Sequence, residues 1–243
     1  DTIESEKNEV LYRGQGVWTM LEHEVMHQET LLYMWHRFDF SQKNRPANYT
    51  AAATDESSVL AEDMVVVPGG EATLGTNLDD VTFGWDNEVP VKIVDVPAFA
   101  IDAYNVTNDN YRVFIEAGGY ETPEYWPGDA WQRLQDANRS HPLFWESGPG
   151  GWHWRGMFER IPLPLSWPVY VTHDEASAFA RWKGLRLPTE AEFHRAAYGT
   201  PDGTERLYPW GATEVDASRG NFDFQHWDPV SVGSYPAGKS AWG

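Results

Sequence analysis

The 243 residues contain no cysteine. That excludes a disulfide framework, a thiolate zinc site and a cysteine nucleophile within them. Basic residues are scarce: 18 Lys and Arg stand against 37 Asp and Glu, for a formal net charge of −19. A phosphate-binding surface needs clustered Lys and Arg, so nucleic acid is argued against as a partner, and the acid reads as a solvated surface. Long apolar runs are also missing. No stretch approaches the ~18 residues of a membrane-spanning helix, and no signal peptide opens the sequence, so no membrane partner is expected and the setting is read as cytoplasmic. At 41% hydrophobic residues the chain can still bury a sizeable core, as one or two domains.

What is present points to a metal. The run Leu21-Glu22-His23-Glu24-Val25-Met26-His27-Gln28-Glu29-Thr30 places two imidazoles four residues apart in a predicted helix. Residues i and i+4 differ by about 40° around an α-helix, so His23 and His27 project side by side. With His23 at 0°, Met34 falls at about 20°, Thr30 at about −20° and Met20 at about 60°, a stripe expected to face the core. Two adjacent buried imidazoles need a strong partner, and a metal ion is the usual one. A pair of hydrogen-bonded core histidines is the alternative.

The same five residues spell H-E-x-x-H, in which Glu24 would be the general base of a zinc peptidase. Glu24 lies about 60° from His27, which leaves that role open. Glu29 lies about 200° from His27 and cannot share the metal from a regular helix. It is expected to hold a neighbouring helix or a hydrogen-bond donor around the site. His36, about 180° from His27, should miss the metal. Two histidines complete neither a zinc nor a non-haem iron site, since each needs a third ligand.

Residues 9–38 read as one long helix, or two with a break at Gly14 and Gly16, rich enough in bulky apolar residues to belong in a bundle. Residues 41–63 have linker composition around Pro46. A second unit, 64–243, opens on a short strand, Met64-Val65-Val66-Val67, that ends in a Pro68-Gly69-Gly70 turn. Further short strands are expected at 91–96 and 99–103. Thr107 precedes a helix stopped at Gly118-Gly119, while Thr172 with Glu175 and Thr189 with Glu192 form capping boxes that open two more. Residues 120–170 carry Trp126, Trp131, Trp145, Trp152, Trp154 and Trp167 among many Pro and Gly. They read as a long irregular segment whose aromatics form either a core or a pocket lining.

Two blocks of residues resemble a known family, the ergothioneine-pathway sulfoxide synthases. His23-x-x-x-His27-x-Glu29 followed by Thr30-Leu31-Leu32 is similar to the iron motif of their DinB-like helical bundle. Val65–Gly70 with Leu74-Gly75-Thr76, Ile101–Asn108, Pro168–Thr172, Arg186–Phe193 and Tyr208–Gly211 are similar to their formylglycine-generating-enzyme-like domain. The resemblance implies an α+β fold: residues 1–40 as the last helix of an incomplete bundle, a linker over 41–63, and a C-type-lectin-like domain over 64–243 that is incomplete at its end.

It also implies an Fe(2+)- and O2-dependent oxidoreductase that joins the imidazole of hercynine or histidine to cysteine or γ-glutamylcysteine, oxidising the product to the sulfoxide, as in ergothioneine or ovothiol biosynthesis. His23 and His27 would be two of three histidine ligands, the third coming from an earlier helix. Family relatives often place a glutamine just before the second ligand histidine, where this chain has Met26. The family's catalytic tyrosine falls beyond Gly243, so no catalytic residue is assigned and the segment alone is expected to be poorly active. A zinc peptidase resting on H-E-x-x-H and a non-catalytic lectin-like binding module are the alternatives. Asn105, Thr107, Asn108, Arg186, Glu190, Glu192, Trp210 and Gly211 are expected to be caps, turns and a buried ion pair rather than a site. His141, His153, His173, His194 and His226 show no ligand spacing.

Overall fold

The structure is a computed structural model, and it describes residues 12–51 and 63–243. The described residues open with a 3₁₀ turn, Tyr12–Gly14, which leads into helix α1, Gln15–His36. The predicted break therefore falls at the helix start. Arg13 and Gly14 both take positive φ, and the α-helix runs unbroken from Gln15. Residues 9–11 of the predicted helix lie outside the described residues. At 1.5 Å per residue, α1 is about 33 Å long. No helix among the described residues is long and apolar enough to cross a membrane.

After a second short turn, Phe40–Gln42, come strands β1, Met64–Val67, β2, Gly70–Leu74, β3, Lys92–Val96, and β4, Phe99–Asp102. They form two antiparallel ribbons rather than one sheet: β1 with β4 (Val65 opposite Ile101) and β2 with β3 (Ala72 opposite Val94). Burial alternates along β1 and β4, and Val67, Ala72 and Val96 are almost fully enclosed. At the end of β2, Gly75 sits at φ +68°, where the Glu88 carbonyl lies against its Cα and accepts from Thr76 N–H at 2.7 Å. A side chain at Gly75 would collide with that carbonyl, so glycine fixes where the 76–90 loop turns back.

Helix α2, Asn108–Glu116, opens on Thr107 as expected and closes at Gly118, φ +79°. The 120–170 segment differs from the irregular one expected. It holds helix α3, Ala130–Asp136, and a three-stranded antiparallel meander: β5, Trp145–Gly148, β6, Gly151–Arg155, and β7, Arg160–Pro162. Pro149 and Gly150 make the β5–β6 turn, while Gly148, Gly151 and Pro162 stand at strand ends. The tryptophans settle on the core side of the choice: Trp145, Trp154 and Trp167 are each 1% exposed. They pack with Tyr111, Phe114, Tyr120, Trp126 and Phe179 in one aromatic core, where edge-to-face contacts dominate, as at Trp154 on Trp167.

Helices α4, His173–Trp182, and α5, Glu190–Tyr198, start on the two predicted capping boxes. The α4 box buries a carboxylate. Glu175 accepts from Thr172 N–H and Oγ1–H, from Tyr120 Oη–H at 2.6 Å and from Arg139, so its burial beside α2 carries no unmet charge. The α5 box pairs with Arg186, whose guanidinium holds the Glu192 carboxyl down at about 2. The pair is half-buried rather than buried, since the Arg186 side chain is 65% exposed. Buried Arg195 on α5 donates to the carbonyls of Pro68, Gly69 and Glu71, and so ties α5 to the β1–β2 turn.

Candidate metal-binding helix

Helix α1 meets the rest of the chain at both ends. At its start, Arg13 donates to the Leu78 and Val81 carbonyls and pairs with Asp79, and Gln15 donates to the Thr82 carbonyl. At its end, Trp35 packs edge-on against Phe158 and Trp227. His36 is 8% exposed, stacks on Phe144 at 4.1 Å and hydrogen-bonds the Arg155 carbonyl through Nε2 at 2.9 Å. Because that partner is a carbonyl, Nε2 carries the proton and donates. Burial lowers the His36 pKa below its ordinary 6.5, so the docked ring is held neutral. Lys43 Nζ completes the join with bonds to the carbonyls of His36 and Met157, both at 2.8 Å.

These anchors decide which face of α1 looks inward. Leu32, about 180° from His23, and His36, about 140° from it, lie on the inner side. His23 and His27 therefore point away from the domain, and both are exposed. The expectation that they face the core is wrong for this chain, and the reason is geometric. The whole of α1 is apolar-rich, so its stripe did not reveal which side docks; Trp35 and His36 decide that. Around the histidines the outer face exposes Met20, Leu31 and Met34.

On that face the two imidazoles meet. Their Nε2 atoms are 2.8 Å apart and the rings lie edge to face, 79° between planes. Without an ion, one Nε2–H donates to the other nitrogen. Both Nε2 atoms are of the type that ligates a metal ion, and the i, i+4 spacing would let the two rings turn to share one. Among the described residues no group of three His, Cys, Asp or Glu is placed to hold a metal ion.

Glu24 is exposed on the same helix, open to solvent. Glu29 is engaged elsewhere: its carboxylate accepts from Tyr33 Oη–H at 2.6 Å, which raises the Tyr33 pKa. The remaining histidines do not converge. His141 packs on Trp152, His153 bonds the Gly151 carbonyl, His173 is exposed, His194 packs beside Tyr198, and the His226 backbone is held by Asn221. Several of the residues expected to be structural take such places. Thr107 caps α2, buried Asn108 donates to the Pro164 carbonyl at 2.7 Å, and Trp210 stacks on Tyr208 beside the Tyr208–Gly211 bridge. The role of His36 as the buried anchor was missed. The only signal in the sequence was its position about 180° from His27.

Residues 49–243 match the sulfatase-modifying factor enzyme 1-like domain, and the chain belongs to that family. It is 41% identical over 187 residues to the hercynine oxygenase of Mycolicibacterium smegmatis, covering 76% of this chain and 43% of that protein. It is 39% identical over 227 residues to the hercynine oxygenase of Mycolicibacterium thermoresistibile, covering 92% of this chain and 49% of the relative. A stretch of that length must include His23 and His27 as well as the domain. The ergothioneine biosynthesis protein 1 of Neurospora crassa is 29% identical over 226 residues, covering 79% of this chain and 25% of that protein. The chain spans less than half the length of each of these relatives.

Proposed function

We propose that this chain is part of a non-haem iron(II), O2-dependent sulfoxide synthase that forms a C–S bond between the imidazole of hercynine and a cysteine-derived thiol. The observation that carries this reading is the His23–His27 pair, with Nε2 atoms 2.8 Å apart on a helix joined to a sulfatase-modifying factor enzyme 1-like domain. The relatives named hercynine oxygenase and ergothioneine biosynthesis protein 1 support it.

In this reading His23 and His27 hold the iron through Nε2, and a third imidazole comes from an earlier helix of a DinB-like bundle. That bundle would cover the exposed Met20, Leu31 and Met34. When bound, iron(II) supplies the means of activating O2 and of holding the thiolate beside the imidazole. The chain's own part is positional. The i, i+4 spacing presets the angle between two ligands, and the anchors at Arg13 and His36 fix the ligand helix against the domain. Glu29 and its Tyr33 partner stiffen the helix one to two turns on from the ligands. The setting is cytoplasmic, with small-molecule substrates.

The test is anaerobic iron(II) titration of the intact parent protein, followed by oxygen uptake with hercynine plus cysteine or γ-glutamylcysteine. Thiol-dependent uptake that disappears in His23→Ala and His27→Ala is expected. Tight zinc binding with peptide cleavage that depends on Glu24 would instead establish a peptidase, and activity untouched by either histidine variant would leave a lectin-like binding module.

A further inference from the structure

Phe224 stands where a bulky residue is rarely found. Its φ is +54° and that of Asp223 before it is +52°, both in the left-handed region that disfavours a large side chain. Such backbone persists only where the surrounding structure holds it, and it gathers at places with a task. Here both ends of the turn are held. Asn221 Nδ2 donates to the carbonyls of His226 at 3.0 Å and Asp228 at 3.2 Å, and its Oδ1 accepts from His226 N–H at 2.9 Å. Gln225 N–H closes on the Phe222 carbonyl at 3.1 Å. Buried Asp228 accepts from Trp154 Nε1–H and Met157 N–H, which roots the segment in the core.

The turn lays the Phe224 ring on Trp227, with centroids 4.8 Å apart and 30° between planes. The outer face stays in water, at 53% exposure, so the ring covers its partner more than it buries itself. Beneath it, Trp227 closes a triangle with Phe158 at 5.4 Å and Trp35 at 5.8 Å, and Phe158 meets Trp35 at 5.6 Å. Trp35 belongs to α1 and lies about 12 Å along its axis from His27. Over that arm, a tilt of about 10° at the joint moves the imidazole pair by about 2 Å. Trp35 and His36 are about 100° apart around the helix, so the aromatic joint braces a side that the His36 anchor does not.

We propose that Phe224 is a positioning residue: by pressing Trp227 onto Trp35, it fixes the tilt of the helix that carries His23 and His27. The joint stands without a metal. Only its consequence for iron rests on the function proposed above.

The chain has no cysteine, so spin labels can be placed uniquely at exposed Gln28→Cys on α1 and exposed Arg181→Cys on α4. Electron–electron double resonance on the purified chain then reads the tilt as a distance distribution. Phe224→Asn is the informative variant, since asparagine tolerates left-handed backbone and the change removes the ring. It should broaden the distribution and raise hydrogen exchange at residues 33–37 about threefold to tenfold, as loss of one aromatic stack implies. Phe224→Tyr should restore the wild-type width and exchange. Trp35→Leu should speed exchange at residues 223–227, because coupling between the two is reciprocal. An unchanged distribution in Phe224→Asn, failure of Phe224→Tyr to restore it, or a 223–227 turn indifferent to Trp35→Leu would overturn the proposal. None of these readouts uses a metal, so failure of the iron reading would show separately, in the titration of the parent protein.

Discussion

Replacing His36 by alanine tests whether this residue holds α1 to the domain. The change removes a ring that is 8% exposed, stacked on Phe144 at 4.1 Å and bonded to the Arg155 carbonyl at 2.9 Å. The lost hydrogen bond is worth about 1 kcal/mol, and the stranded carbonyl adds about 1 more. The stack contributes about 0.5–1.5 kcal/mol. The sum, about 3 kcal/mol, corresponds to a rise of about a hundredfold in the population of undocked helix. Hydrogen exchange at the amides of residues 33–37 reads that population directly.

The pH dependence gives an independent check. Because burial lowers the folded pKa of His36, the unfolded or undocked chain binds the extra proton first. Docking is therefore at full strength above the ordinary histidine value of 6.5 and weakens as pH falls through it. After correction for intrinsic exchange, protection in the wild type should decline between pH 7.5 and 5.5, and His36→Ala should lack that component. Equal protection in the two proteins at pH 7.5, or stronger docking of the wild type at pH 5.5, would refute the assignment.

Two other perturbations probe the domain. Glu192→Gln should cost about 1–2 kcal/mol near neutral pH, discounted because Arg186 is largely in water. The Glu192 carboxyl titrates at about 2 rather than 4.5, so its contribution is complete above 4.5 and lost as pH falls towards 2. Urea melts of the two proteins should converge across that window, and a gap unchanged from pH 6 to pH 3 would contradict the ion pair. Trp154→Leu empties part of the core and removes the Nε1–H bond at 3.1 Å to buried Asp228, leaving that carboxylate its bond from Met157 N–H. A loss of about 3–5 kcal/mol in urea unfolding is expected, and a loss below 1 kcal/mol would contradict the packing role.

Local chemistry made much of this chain legible without coordinates. Capping boxes at Thr172 and Thr189, the cap at Thr107 and the stop at Gly118 are short-range signals, and each helix starts or ends where they stand. The strand at 64–67 and its turn are equally local. The adjacency of His23 and His27 follows from helix periodicity alone, and so does the placement of Glu29 on another side of the helix. The alternation of β5–β7 was obscured because Gly and Pro punctuate strands too short to show a period.

Which way α1 faces lay outside the sequence. An apolar-rich helix offers several faces, and the choice falls to contacts 65 to 119 residues apart: Arg13 with the 76–90 loop, His36 with Arg155. The same long-range packing turned six tryptophans from an even choice into a core. Periodicity thus determined which side chains stand together on one element. Only the tertiary structure decided which of them meet the domain and which are left to solvent, because that choice is made by the fit of distant surfaces and not by the local chain.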